Sequence, residues 1–333
     1  PDYEVENITI LKALNTASRV LGELKGEIKK IPNSQILIDT ISLQEAKDSN
    51  EIENIVTTDD ELYQASIETK NISQAAKEAQ NYATALKLGF TMIKEKGLLT
   101  TNDIKKIQEI VSPNHPIRKV PGTHLKNPKT QEIVFTPPQH HKVILELLNN
   151  LEEYINNPEF HNVDALIKMP IVHYQFESIH PFYDGNGRTG RILNILYLII
   201  NGLLDIPILY LSSYINDNKS EYYKLLNKVK KNDEWENWVI YMLKAVEVTS
   251  NKTVEKINSI KSLLEKTILF AQEKANKVYR KELIELLFEH PYSKIEYVVE
   301  KLGVERKAAS RYLKQLEEIG ILESQKIGRE TIY

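Results

Sequence analysis

The 333-residue chain contains no cysteine. Disulfides, a thiolate nucleophile and cysteine-ligated zinc are therefore excluded together. The absence agrees with a reducing cytoplasm. Charge of neither sign dominates: 43 lysines and arginines against 46 aspartates and glutamates leave a formal charge of −3. The chain as a whole is thus no polyanion binder. Long apolar runs are also missing. The longest, around Ile192–Ile200, is too short to span a bilayer and is interrupted by Asn194. Residues 1–20 are acidic and amphipathic without an apolar core segment, so no signal peptide is expected. Length and composition predict a cytoplasmic protein of two or three domains with no membrane span.

What is present is concentrated in residues 180–191, His-Pro-Phe-Tyr-Asp-Gly-Asn-Gly-Arg-Thr-Gly-Arg. His180 can carry a proton and Asp184 can bind a hard metal ion. Gly185-Asn186-Gly187 is a turn with little bulk, able to take positive φ and present backbone N–H groups. Arg188 and Arg191 then open an apolar helical run, so free amides, the helix dipole and two guanidinium groups converge on one small volume. Spaced three apart, the arginines share a helix face and can hold adjacent phosphates by forked hydrogen bonds. The arrangement suits a polyphosphate.

Apolar spacing predicts helices over 6–30 (Ile8, Ile10, Leu11, Leu14, Val20, Leu21, Leu24), about 36–55, 73–95, 139–157, 162–179 and about 234–277. Gly97 ends the third, and Thr101-Asn102-Asp103 is expected to cap another. Residues 111–138, turn-rich around Asn127-Pro-Lys-Thr, predict a β-hairpin. His173 lies two helical turns before His180, too far to share an ion, and is expected to be packed or hydrogen-bonded. The other histidines form no ligand cluster. Residues 278–333 read as helices at 280–289, 294–302 and 306–319 followed by a strand pair around a glycine turn, which resembles a winged helix. Its ten lysines and arginines balance ten glutamates, whereas DNA binding needs a basic face. Arg306, Lys307, Arg311 and Lys314 leave DNA contact open beside protein docking or dimer contacts.

Residues 180–191 match the motif His-Pro-Phe-x-Asp-Gly-Asn-Gly-Arg-x-x-Arg at every fixed position, and the chain thereby resembles the Fic (Fido) family of protein adenylyltransferases. Ser49-x-x-x-Glu53-Asn54 is similar to that family's inhibitory signature, Ser/Thr-x-x-x-Glu-Gly/Asn, and lies upstream of the motif, as in the subgroup with an N-terminal inhibitory helix. The resemblance implies a mainly α fold: a Fic-type helical core with a β-hairpin flap, plus a small C-terminal winged-helix domain. It implies an N-terminal helical region at 1–110 with the inhibitory helix at about 40–56. A catalytic core would follow at 111–245 with the flap at about 117–138, then a connecting helix at 246–277 and the winged helix at 278–333.

The activity implied is transfer of AMP from ATP to Ser, Thr or Tyr hydroxyls of target proteins and of the chain itself. His180 would be the base, and Asp184 would bind Mg²⁺ bridging phosphate oxygens. The nucleotide-facing set would be Glu53, His180, Gly185, Asn186, Gly187, Arg188, Thr189, Gly190 and Arg191. An adenine-stacking tyrosine completes it, Tyr223 by spacing from His180, with Tyr222 its neighbour. Ser49, Glu53 and Asn54 would inhibit, Glu53 by denying Arg191 to the γ-phosphate. Family members can pair, so a homodimer is a possible state. Two alternatives stand beside this expectation: removal of AMP or transfer of another phosphate-linked group, and a nucleotide-sensing winged-helix transcription regulator.

Overall fold

The computed structural model describes residues 3–67, 72–126, 130–327 and 330–333. Among them are fourteen α-helices and two two-stranded antiparallel sheets, so the protein is mainly α, as expected. The N-terminal helices are α1 (Ile8–Ile28), α2 (Ser34–Ile52), α3 (Asp59–Ile67), α4 (Gln74–Lys96) and α5 (Thr101–Val111). Next come β1 (Leu125–Lys126), β2 (Ile133–Phe135), α6 (His141–Asn156), α7 (Ala165–Ile179) and α8 (Asn186–Ile200). Then follow α9 (Leu211–Asp217), α10 (Lys219–Asn232) and the forty-residue α11 (Trp235–Lys274). The chain closes with α12 (Lys281–Glu289), α13 (Ile295–Leu302), α14 (Arg306–Glu318), β3 (Gln325–Ile327) and β4 (Glu330–Ile332).

Local chemistry sets the boundaries. Gly97 ends α4 in the left-handed region (φ 71°). Thr100, one residue earlier than expected, caps α5, its side chain accepting from the Asp103 N–H while the Asp103 carboxylate accepts from Thr100 N. α2 begins at Asn33, whose side chain accepts from Gln35 N, and ends at Ile52 rather than 55 or 56. Helix α3 went unrecognised in the sequence because this nine-residue helix buries only Leu62 and Ile67, too few positions to show a period. No break separates the core from a connecting helix at 246: α11 runs unbroken from the core, where it packs along α1, to the C-terminal helices.

Helix α8 is the centre of the main core. Its residues are apolar on every side (Ile192, Leu193, Ile195, Leu196, Leu198 all buried), and it is enclosed by α7, α4, α5 and α2. Its rigidity is inherited by whatever sits at its N-terminus. α2 is held against this core by a buried carboxylate. Glu45, 1 % exposed, accepts from the Tyr82 hydroxyl (2.9 Å), Ser212 N (3.0 Å) and Ser212 Oγ (2.5 Å). Burial pushes its pKa up to about 8, against the hydrogen bonds from Ser212. A carboxyl raised above its unfolded value stabilises the fold most below the unfolded pKa, and that contribution is lost as pH rises toward 8. Glu45→Gln is therefore expected to shrink the fall in Tm between pH 5 and pH 8; an unchanged fall would mean that Glu45 is ionised in the fold.

The hairpin expected around 117–138 is present as β1 and β2, with Leu125 opposite Phe135 and Lys126 opposite Ile133. Of its proposed turn, residues 127–129 lie outside the described residues, as does Gly328 of the C-terminal strand pair. In the C-terminal unit α12–α14 bury Leu283, Ile284, Val298, Ala309 and Leu313 with Leu264 and Ala271 of α11 and Ile36 of α2. The C-terminal unit thus rests on the start of α2. Glu289 accepts from the Asn33 side chain, and the Tyr292 ring stacks on Tyr63 of α3 at 5.7 Å. Of its basic helix α14, Arg306 is paired with Glu296 and Arg311 lies over the Tyr312 ring.

Candidate active site

Helix α7 ends at Ile179, and His180 takes the left-handed conformation (φ 46°, ψ 57°) as its cap. Such a backbone is uncommon for a side chain of this size. It reverses the chain so that α8 starts six residues later. Phe182 and Asn186 close the loop: Phe182 N donates to Asn186 Oδ1 and Asn186 Nδ2 to Phe182 O, both at 2.9 Å. Both polar atoms of the Asn186 side chain are thus engaged by the loop itself, and the side chain is buried. Gly185 caps α8 with φ 78°, and a Cβ there would lie 2.9 Å from that of Ser112. The loop needs glycine at that point on both grounds. The first amides of α8 then point out of its positive end.

Around this nest the structure brings together most of the predicted residues. Asp184 accepts from the Ser112 hydroxyl and from Arg188 Nη2 at 3.1 Å. Burial opposes its ionisation, but Ser112, Arg188 and the Gly185 N–H hold its carboxyl below the usual range. With its single proton given to Asp184, Ser112 Oγ accepts from His115 Nδ1 at 3.0 Å. Arg188 also donates to Glu78 of α4 at 2.6 Å. Thr189 and Gly190 are enclosed between helices. Thr189 is fully buried, and Gly190 presents its carbonyl to His173 Nδ1 at 3.3 Å. Neither faces the open side of the loop. His173 is buried, its Nε2 2.7 Å from the Tyr222 hydroxyl, so it is a packed core histidine. Burial and Arg191 lower its pKa to about 3.

Arg191 is the point where α2 meets the loop. Its Nε donates to Ser49 Oγ at 2.8 Å, and Nη2 donates to Ser49 O at 3.0 Å and to Glu53 Oε1 at 2.8 Å. Burial opposes the Arg191 charge, but Glu53 outweighs it and raises the pKa. Glu53 is the cap residue of α2, and Asn54 after it takes φ 63°, with its side chain accepting from Lys219 Nζ at 2.9 Å. Asn tolerates the left-handed region better than most residues, which gives Asn54 its place after the glutamate. The Glu53 carboxylate lies directly over Gly187, where a Cβ would collide with it.

His180 is half-buried and points into the same volume. Its pKa is lowered to about 4, first by burial and next by Arg118, against the opposing carboxylates of Glu53 and Asp184. The ring is therefore neutral at pH 7. Tyr223 keeps 42 % of its surface exposed while Tyr222 beside it is buried, their rings 5.1 Å apart edge to face. Burial and the nearby Glu53 raise the Tyr223 pKa.

Profiles of known families match along the chain in three stretches: a Fic/DOC family N-terminal region at residues 11–91, the Fic/DOC family domain at 98–198, and the C-terminal domain of SoFic-like protein adenylyltransferases at 263–333. The first two alone cover more than half of the 333 residues. The chain belongs to the Fic/DOC family. It is 39 % identical over 82 residues to a probable protein adenylyltransferase of Aquifex aeolicus, which covers 25 % of this chain and 25 % of the relative. With the protein adenylyltransferase fic-1 of Caenorhabditis elegans it shares 30 % identity over 97 residues, 28 % of this chain and 17 % of the relative. The chain thus spans a quarter or less of the length of these curated relatives. Its fold is that of a Fic family protein from Desulfovibrio desulfuricans, with a TM-score of 0.61 at 19 % identity over 100 % of this chain and 97 % of the other. A C. elegans Fic-1 structure matches 74 % of this chain and 73 % of its own with a TM-score of 0.56 at 20 % identity.

Several residues of the Fic site gave no sequence signal. Glu78, Ser112 and Arg118 come from helices and loops far from the motif in sequence and reach it only through packing. Glu177, three residues before His180, is partly buried with its Oε1 enclosed and unpartnered, and burial pushes its pKa up to about 7. Its place in the helix that delivers His180 was the one available hint.

Proposed function

We propose that this chain is a protein adenylyltransferase held inactive by its own Glu53. The observation that carries the reading is the position of Arg191: a fully buried guanidinium at a phosphate-type helix N-terminus, with Ser49 and Glu53 of a separate helix in place of an anion. In this reading ATP lies along the loop, its phosphates against the amides of 185–187 and the two arginines. Neutral His180 takes the proton of a Ser, Thr or Tyr hydroxyl. The oxygen attacks the α-phosphorus in line, the bond to the bridging oxygen breaks, and pyrophosphate leaves. The AMP-modified hydroxyl and protonated His180 remain. Targets would be aligned along the β1–β2 hairpin, whose Ile133 and Val134 are exposed beside it.

Asp184 fits Mg²⁺ as the sole protein ligand. It is ionised and about half exposed, and among the described residues no cluster of three histidines, aspartates or glutamates could hold an ion without phosphate oxygens. When bound, Mg²⁺ would neutralise charge on the phosphates. The experiment that tests the activity is incubation with ATP and Mg²⁺ followed by intact-mass measurement. Covalent gain of one AMP supports the reading, and gain of any other group, or of none in the Glu53→Gly protein, contradicts it.

Two further outcomes are expected. Tyr223→Ala removes the half-open aromatic face proposed to stack on adenine. Base–aromatic stacking is worth about 1–3 kcal/mol, so KM for ATP should rise about tenfold with little change in kcat. An unchanged KM would place the base elsewhere. Because the His180 pKa is lowered to about 4, the imidazole is already neutral across the physiological range. The transfer rate should therefore show no acid limb between pH 6 and 8, and a limb near the ordinary histidine value of about 6.5 would contradict the lowered His180 pKa.

A further inference from the structure

We propose that Arg118 is a positioning residue that couples the β1–β2 hairpin to His180, so that the target-binding element and the imidazole are set by one guanidinium. The inference rests on the adenylyltransferase reading for its kinetic consequence but not for its geometry. Arg118 is 1 % exposed, and its donors reach three carbonyls. Nε donates to the carbonyl of His180 itself at 2.7 Å, and Nη2 to Ile179 O at 3.1 Å and to Pro138 O at 2.9 Å. The first two are the orphan carbonyls at the end of α7, where a cation also meets the negative end of the helix. The third is the far root of the hairpin. Arg118 stands at the near root, so one side chain closes the hairpin at its base and fastens it to the residue that would take the proton.

The backbone repeats the connection. Arg118 N donates to Pro181 O at 2.8 Å, Ile117 pairs with Phe182, and the Tyr183 hydroxyl accepts from the N–H groups of Lys119 (3.1 Å) and Val120 (3.3 Å). A hairpin shift produced by a bound target segment would therefore move the strained left-handed His180 with it. A surface hairpin with no part in the reaction requires none of this.

The charges facing His180 are Arg118 ahead of β1, Glu53 from α2 and Asp184 from the loop, with the Glu177 carbonyl of α7. Arg118 is the one cation in that set. Removing its charge should let the His180 pKa climb from about 4 toward the ordinary histidine range.

The test uses the whole 333-residue chain, with Arg118→Gln and Arg118→Lys each made in wild-type and Glu53→Gly backgrounds. NMR titration of the His180 ring, assigned by difference from His180→Ala, reads the coupling without any activity. Arg118→Gln should raise the His180 pKa, burial keeping it below the ordinary histidine value, while Arg118→Lys, which keeps the charge but loses the fork, should leave it close to the parent value. In the Glu53→Gly background both should lower kcat for AMP transfer tenfold or more with KM for ATP within a factor of two. An unmoved pKa in Arg118→Gln, or unchanged kcat in both folded variants, would overturn the proposal. So would failure of both to fold, which would make Arg118 a residue of stability alone. If the Glu53→Gly parent itself transfers no AMP, the transferase reading fails, and the titration still decides the coupling.

Discussion

His180→Ala is expected to lower AMP transfer by about 10²–10⁴-fold, the usual worth of a positioned general base, when measured in the Glu53→Gly background. The imidazole is neutral at pH 7, sits at the end of a rigid buried helix, and faces the loop whose amides and arginines would hold the phosphates. Nothing in the substitution disturbs those phosphate contacts. ATP binding, read by calorimetry or by nucleotide protection of Tm, should therefore stay within a few-fold of the parent. A drop in affinity as large as the drop in rate would make His180 a binding residue and leave the base unassigned.

Glu53→Gly is expected to raise AMP transfer by about 10–100-fold. A hydrogen bond to a charged group contributes about 1.5–3 kcal/mol, and one factor of ten corresponds to about 1.4 kcal/mol. The Glu53–Arg191 contact at 2.8 Å is of that kind, between a fully buried guanidinium and a carboxylate about one-third exposed. Releasing it returns Arg191 Nη2 to a phosphate, and also clears the space above Gly187 that the carboxylate fills. Ser49 would still hold Nε, so the guanidinium keeps its orientation. Glycine suits the position because Glu53 is the last cap of α2 and not a helix-interior residue. The fold should lose little stability. Equal rates for wild type and Glu53→Gly would remove Glu53 from regulation.

The 180–191 loop was legible in the sequence because its chemistry is local. A glycine turn, a helix N-terminus and two arginines three apart declare an anion site within twelve residues. Glu53 was legible through a short pattern upstream, and its physical reasons appear only in three dimensions: Ser49 and Glu53 one helical turn apart both reach Arg191, and Asn54 supplies the left-handed residue that ends the helix. Asn186 was read as a phosphate residue, yet its side chain closes the loop on Phe182. Thr189 and Gly190 belong to the motif by sequence but face the core. A motif fixes residue types, and only packing decides which face of the helix each one occupies. Arg118 was invisible for the opposite reason. Its partners are main-chain carbonyls of residues about 20 to 62 positions away in the chain, and carbonyls leave no trace in side-chain identity. The helices followed from apolar spacing wherever they bury a full stripe. The short α3 did not, since two buried residues make no period.

The measurement that bears most directly on the central claim is a crystal structure of the Glu53→Gly protein with Mg²⁺ and a non-hydrolysable ATP analogue. The γ-phosphate is expected on Arg191 in the place vacated by Glu53, the base against Tyr223, and the α-phosphorus close enough to His180 Nε2 for one hydroxyl oxygen to bridge them. A triphosphate bound away from the 185–188 amides, or an α-phosphorus beyond that single-oxygen reach, would contradict it.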